Sequence, residues 1–226
     1  MAHIAQMDTP RRSTLPARAW PGRQPAPLPD APLLRDRKWT AILACLSEIG
    51  DRTVFNALSK DSLRLTTPRL RLDAWSPADL PLLFGLHSDP RVQAGYPAKA
   101  DNWTEPAIRA KLAGFIAEQE NLGLTKWKMS LRDGTFIGRA GWSPWGGDEL
   151  EIGYAIAPEH QGCGYAVEVA SALLSEARRH RPPSQLVGFA LLNNMASRHV
   201  LERIGMTFEG ERVIGGMPNA FYRVPD

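Results

Sequence analysis

The chain has 226 residues, 43% of them apolar and 23% charged, which is enough for one domain with a real core plus an appendage. It lacks a run of about 18 apolar residues, a secretory h-region, and any metal or redox spacing between its two cysteines, Cys45 and Cys163. A membrane span, a disulfide framework and a cysteine metal site are therefore set aside, and a reducing, cytoplasmic setting is expected.

The formal charge of +3 is unevenly placed. Arg11, Arg12, Arg18, Arg23, Arg35, Arg37 and Lys38 face only Asp8, Asp30 and Asp36 within residues 1–40, so the rest of the chain is slightly acidic. The basic balance belongs to the tail and gives no reason to expect a nucleic-acid surface on the folded body.

Residues 1–38 carry seven prolines and no hydrophobic period, which predicts a flexible Pro/Arg-rich arm. Such an arm is either an unstructured extension or a basic contact for RNA, ribosome or an acidic protein. Residues 39–62 predict a short helical extension: Trp39, Ile42, Leu43, Leu46 and Ile49 share one face, Gly50 closes it, and Asp51 caps a second helix through Leu58. The domain proper is expected over residues 63–226.

A strand is expected over 63–75, then a helix capped by Ser76-Pro77-Ala78-Asp79 and stopped at Ser88-Asp89-Pro90. A second helix follows from Glu105 to Glu120, and a hairpin turns at Asp133-Gly134 between Trp127–Leu131 and Phe136–Trp142. From Glu149 to Ile156, Leu150, Ile152, Tyr154 and Ile156 alternate with Glu149, Glu151, Gly153 and Ala155, so one face is apolar and the other acidic, then small. Pro158 ends this strand, Gln161-Gly162-Cys163-Gly164 turns, and Ala166, Val169, Ala170, Leu173, Leu174 and Ala177 recur at helical spacing. The first turn of a helix so placed presents unpaired N–H groups and the positive end of the dipole, an arrangement suited to phosphate. The P-loop and the dinucleotide fingerprint both fail here, for lack of Gly-Lys-Ser/Thr and because Val167 stands where a small residue is needed. A buried strand at Leu186–Leu191, a helix over Ala196–Ile204, and strands at Thr207–Ile214 and Ala220–Val224 around Gly215-Gly216 complete the chain. The expected architecture is α/β (α+β): one mixed sheet with helices on both faces.

Six segments in this order resemble the GNAT superfamily of N-acetyltransferases, in particular its RimJ/RimL-type branch. They are Leu65-Thr66-Thr67-Pro68-Arg69-Leu70-Arg71-Leu72, Asp89-Pro90-Arg91-Val92, Gly138-Arg139-Ala140-Gly141-Trp142, Glu151-Ile152-Gly153-Tyr154, Gly162-Cys163-Gly164-Tyr165-Ala166-Val167-Glu168, and Asn194-Met195-Ala196-Ser197 with Arg203-Ile204-Gly205-Met206. The similarity spans about residues 63–224, and Met206 stands where the family usually has Phe.

The resemblance implies transfer of an acetyl group from acetyl-CoA to a primary amine by direct attack, without a metal. It implies that backbone groups of Ala155, Ile156 and Ala157 pair with the pantetheine arm and that Gln161 and the N–H groups of Gly162, Cys163, Gly164, Tyr165 and Ala166 hold the pyrophosphate. Asn194 would touch the cofactor, and Ser197 would lie near the thioester sulfur as a proton donor to the leaving thiolate. For the base, Glu151 and then Glu149 are the candidates from the strand face, with Glu209 and Glu211 in reserve. Each glutamate has the alternative of a solvated or ion-paired strand residue.

Cys163 is weighed as a turn residue against a reactive thiol, and Tyr154 as core against catalyst. Trp103, Trp127, Trp142 and Trp145 are weighed as core against pocket walls. Tyr96 falls in the loop where acceptor specificity is set in this architecture. A protein N-terminal α-amine is the first-choice acceptor, and an amino acid derivative, polyamine or aminoglycoside the second. A non-catalytic acyl-CoA-binding module that holds a partner through residues 1–62 is the competing class. The expected state is monomer or homodimer.

Overall fold

The computed structural model of the chain describes residues 65–96 and 100–226. The arm and helical extension expected within residues 1–62 lie outside the described residues.

Among the described residues, seven strands form one sheet. They are β1 (Leu70–Asp73), β2 (Lys126–Leu131), β3 (Phe136–Pro144), β4 (Leu150–Ile156), β5 (Leu186–Leu191), β6 (Thr207–Ile214) and β7 (Met217–Arg223). Their spatial order is β1-β2-β3-β4-β5-β7-β6. Every neighbouring pair is antiparallel except β4 and β5. Five α-helices among the described residues accompany them: α1 (Leu80–Ser88), α2 (Pro90–Gln93), α3 (Glu105–Leu122), α4 (Tyr165–Ala177) and α5 (Met195–Arg203). Among the described residues no helix is long and apolar enough to cross a membrane.

The first strand is shorter than the expected 63–75. Leu72 N–H donates to Leu65 O at 2.9 Å, and Thr67 N–H donates to Leu70 O at 2.9 Å, so the chain doubles back around Pro68 before β1 begins. α1 starts as expected: the Asp79 carboxylate accepts from the backbone N–H and the hydroxyl of Ser76, both at 2.8 Å. Asp89-Pro90 ends α1 and also starts α2, because the Asp89 carboxylate accepts the Arg91 N–H at 2.8 Å and caps a new turn.

Strand alternation divides the two faces. Leu150, Ile152 and Ile156 of β4 are buried with Val169, Ala170, Leu173 and Leu174 of α4 and Leu201 of α5. On the opposite face α1 and α3 are tied down through polar groups: Asp79, at the start of α1, to Lys128 at 2.8 Å, His87 to Arg139 at 3.1 Å, and Glu118 to Ser143 at 3.4 Å. The sheet thus has a mostly apolar side under α4 and α5, and under α1 and α3 a side where these charged groups lie beside buried apolar clusters that include Trp75, Leu83, Leu112 and Phe115, and Leu86, Val92 and Ala155.

Candidate active site

β4 and β5 pair only from Leu150–Ile152 to Leu186–Gly188, then separate. The cause is local: β5 runs on beside β7, whereas β4 follows β3 up to Ala157, whose N–H donates to Ile137 O at 2.8 Å. That bond fixes the phase of the β3–β4 ladder. Ala155 and Ala157 direct their backbone groups to β3, and Tyr154 and Ile156 direct theirs into the gap that β5 has left. Of the three residues expected to pair with the pantetheine arm, Ile156 directs its backbone groups into the gap, beside Tyr154, whereas those of Ala155 and Ala157 turn to β3.

The gap opens into a cleft of about 710 Å³. One end is the turn before α4. Gly162 and Gly164 take positive φ of 76° and 79°, and no side chain caps α4, so its first N–H groups face outward. Gln161 Nε2 donates to Ile156 O at 2.9 Å and ties the turn to the strand. Gly162, Gly164, Tyr165 and Ala166 line the cleft; Cys163 is exposed and lies outside that lining.

A clasp invisible to the sequence holds this turn. Glu168 accepts from Thr67 Oγ1 at 2.5 Å, from Arg69 N at 3.0 Å and from Arg69 Nε at 2.6 Å, while Arg69 Nη1 donates to Cys163 O at 3.0 Å. The Arg69 guanidinium also lies 4.5 Å from the Tyr165 ring centroid. Burial works to raise the Glu168 carboxyl, but the bonds from Thr67 and Arg69 outweigh it and hold it below its usual range. The opening Thr-Thr-Pro-Arg segment therefore braces the turn before α4.

The other end of the cleft brings Asn194 and Ser197 together. Asn194 Oδ1 caps α5 by accepting Ser197 N–H at 3.1 Å, and Ser197 O accepts the Tyr154 hydroxyl at 3.1 Å. Burial raises the Tyr154 hydroxyl far above its ordinary value, against the Ser197 bond. Tyr154 lines the cleft wall and spans from β4 to α5.

Glu151 lines the cleft on the opposite sheet face, 8% exposed and ion-paired with Lys126. Glu149 is elsewhere: it pairs with Arg223 at 2.8 Å, which also holds Glu209 at 2.7 Å, and neither carboxylate lines the cleft. Glu211 is an exposed residue of β6. Glu118, which sequence reasoning missed, accepts from Thr125 at 3.2 Å and Ser143 at 3.4 Å, and burial pushes its carboxyl up despite the nearby Lys126.

Arg139 was legible only as part of a motif. It is 4% exposed, lines the cleft, and donates from Nε to His87 Nε2 at 3.1 Å and from Nη2 to Tyr96 Oη at 2.8 Å. Trp103 stacks on His87 with centroids 5.3 Å apart and meets Tyr96 edge-on at 5.5 Å. None of the four weighed tryptophans is among the described residues lining the cleft; Phe189, packed against Trp145 at 4.5 Å, is.

Burial, then the charges of Arg139 and Lys111, push the His87 imidazole down to about 2. Its ring is fully buried and accepts the Arg139 bond, so it is neutral. Because the folded value lies below the unfolded one, stability is full above about 6.5 and falls as the pH drops below it, by at most about 1.4 kcal/mol per unit. His87→Gln keeps an acceptor for Arg139 and should lose about 2 kcal/mol less than the wild type between about pH 6.5 and pH 5. Urea melts at those pH values check it; parallel pH dependence in the two proteins would contradict it.

The cleft thus lies where a parallel pair splays beside an uncapped helix N-terminus. Residues 69–207 match the acetyltransferase (GNAT) domain family, and the chain belongs to it. It is an enzyme family that transfers acetyl groups. YkkB of Bacillus subtilis is 30% identical over 158 residues, covering 64% of this chain and 86% of that protein. A solved acetyltransferase from Agrobacterium tumefaciens is 28% identical with a TM-score of 0.60, covering 72% of this chain and 94% of that one. RimL, a ribosomal α-N-protein acetyltransferase solved with coenzyme A, shares the fold at 19% identity and a TM-score of 0.61, over 70% of this chain and 95% of its own.

Proposed function

We propose that the protein transfers the acetyl group of acetyl-CoA to a primary amine, with a protein N-terminal α-amine as first-choice acceptor, as in the RimJ/RimL-type branch. The observation that carries this is the β4–β5 gap, which leads from the α4 turn to Glu151. The residues present fit acetyl-CoA: the outward N–H groups of α4 suit a pyrophosphate, and the backbone of Tyr154 and Ile156 suits a chain bearing amides. Acetyl-CoA supplies the activated acetyl thioester.

The chain's own residues divide the work. Glu151, held in place by Lys126, accepts the proton from the incoming amine. Ser197, a residue of the cleft lining whose turn of helix Asn194 caps, returns a proton to the leaving thiolate. Freeing an α-amine of its proton at pH 7 costs about 1 kcal/mol, against about 4–5 kcal/mol for a lysine side chain, so a single modest base suffices only for the first. The cleft lining also speaks against polycations. Its one acidic side chain among the described residues is Glu151, already paired, so a polyamine or aminoglycoside finds no counter-charge.

The test is acetylation of three acceptor sets with acetyl-CoA: peptides with free N-termini, the same peptides N-blocked but carrying lysine, and polyamines. Acetylation of the free N-terminal set at a rate about a hundredfold or more above the lysine set supports the proposal. Preference for lysine or polyamine would overturn the choice of acceptor. Cofactor binding without transfer to any set would favour the non-catalytic class.

A further inference from the structure

Among the described residues, Arg139 is a buried cation with no carboxylate partner. On the same sheet face, Lys126 pairs with Glu151 and Lys128 with Asp79, and at the cleft edge Arg91 pairs with Asp89. Among the described residues no carboxylate lies within ion-pair distance of Arg139. Its partners are a neutral imidazole and a phenol, its plane lies near the Phe115 and Tyr96 rings at 5.4 and 5.6 Å, and its Nη1 is buried without any hydrogen-bond partner. A guanidinium taken out of water and left unpaired is strongly unfavourable, so a position like this calls for an anion. Arg139 lines the cleft, so the anion can come from a bound molecule.

We propose that Arg139 anchors a carboxylate of the acceptor, so that the acetylated amine belongs to a molecule carrying an acidic group close to its nitrogen. This inference rests on the function proposed above and narrows its acceptor. One free guanidinium nitrogen and one uncompensated charge suit a singly charged carboxylate better than a doubly charged phosphate. Arg139 stands opposite Ala155 in the β3–β4 register, and Glu151 lies four residues along the same face, a backbone separation of about 13 Å. With both side chains reaching into the cleft, a molecule that offers its amine to Glu151 and its carboxylate to Arg139 is about one or two residues long. Asn219 adds a neutral acceptor to the cleft: it is fully buried, its Nδ2 is used by Met217 O at 2.8 Å, and its Oδ1 has no partner. A free amino acid and an N-terminal segment with an acidic residue at its start share this chemistry.

Calorimetry with product-type probes separates the sources without requiring turnover. N-acetylalanine is compared with N-acetylalaninamide, and an N-acetyl Ala-Asp-Ala amide with its Ala-Asn-Ala counterpart, on the full-length protein with and without CoA. The acid of at least one pair should bind about tenfold or more tighter than its amide, and Arg139→Met should reduce that preference to below about twofold. Arg139→Lys keeps the charge and should restore part of the preference, which a merely structural role would not do. Preference in the first pair identifies a free amino acid, and in the second an acidic N-terminus. Acid and amide that are indistinguishable in the wild type, weak binding of all four included, or a preference that survives in Arg139→Met, overturn the anchor. Acid preference in a protein that does not take up CoA would leave the anchor standing and sink the transferase function instead.

Discussion

Gly164→Glu should abolish binding of acetyl-CoA, weakening it by about a hundredfold or more. Gly164 sits at the N-cap of α4 with φ of 79°, and a Cβ built there meets only the Arg69 Nη2 atom at 3.6 Å, an ordinary contact. The substitution therefore has room, and its backbone cost in this left-handed region is about 1–2 kcal/mol, which a domain of this size tolerates. What it cannot accommodate is charge. A carboxylate at the first turn of α4 occupies the positive end of the helix and repels a pyrophosphate, a like-charge contact that costs several kcal/mol, at about 1.4 kcal/mol per tenfold in affinity. Gly164→Asn serves as control, because asparagine adopts positive φ and adds no charge; it should bind within about tenfold of the wild type. Calorimetric titration of the three proteins decides. Equal affinity in Gly164→Glu would mean that the α4 turn is not the anion site.

The second large effect is expected at Glu151. Glu151→Gln should lower kcat by about 10²–10³ at saturating acetyl-CoA while leaving the affinity for acetyl-CoA within a few-fold, as removal of a positioned base does. The substitution has a structural side, since Lys126 and Glu151 are both largely buried. Deleting one partner of a buried pair costs about 3–5 kcal/mol, and glutamine moderates this by keeping an oxygen for Lys126. Kinetics and a thermal melt on the same sample separate the two contributions. A folded Glu151→Gln with unchanged kcat would reduce Glu151 to a structural ion-pair partner and leave its proton-transfer role without support.

Much of the architecture was legible because the relevant signals are local. The alternation of Leu150, Ile152, Tyr154 and Ile156, the glycines at 162 and 164, and the helical recurrence from Ala166 to Ala177 lie within thirty residues and specify strand, turn and helix directly. The partners of that turn were not legible, because Thr67 and Arg69 lie 101 and 99 residues from Glu168. Gly215-Gly216 announces a hairpin, but nothing in its sequence says which arm joins β5; the fold inserts β7 between β5 and β6. The choice of Ala155, Ile156 and Ala157 treated three consecutive residues as equivalent, whereas an antiparallel ladder turns alternate residues to opposite neighbours. Glu149 and Glu151 share a sequence face, yet the strand begins at Leu150 and Arg223 draws Glu149 away from the cleft. Arg139 illustrates the deepest limit: a charged residue between Gly138 and Ala140 carries no sign of burial until α1 and α3 close over it.

All of this turns on whether the gap between β4 and β5 is where the acyl carrier lies. The most direct measurement is a crystal structure of the full-length protein grown with CoA. The predicted result is a pyrophosphate at the N–H groups of Gly164 to Ala166 and a pantetheine chain hydrogen-bonded to the backbone of Tyr154 and Ile156, its thiol directed towards Glu151 and Ser197. CoA bound anywhere else, or along Ala155 and Ala157 with β3 displaced, would contradict it.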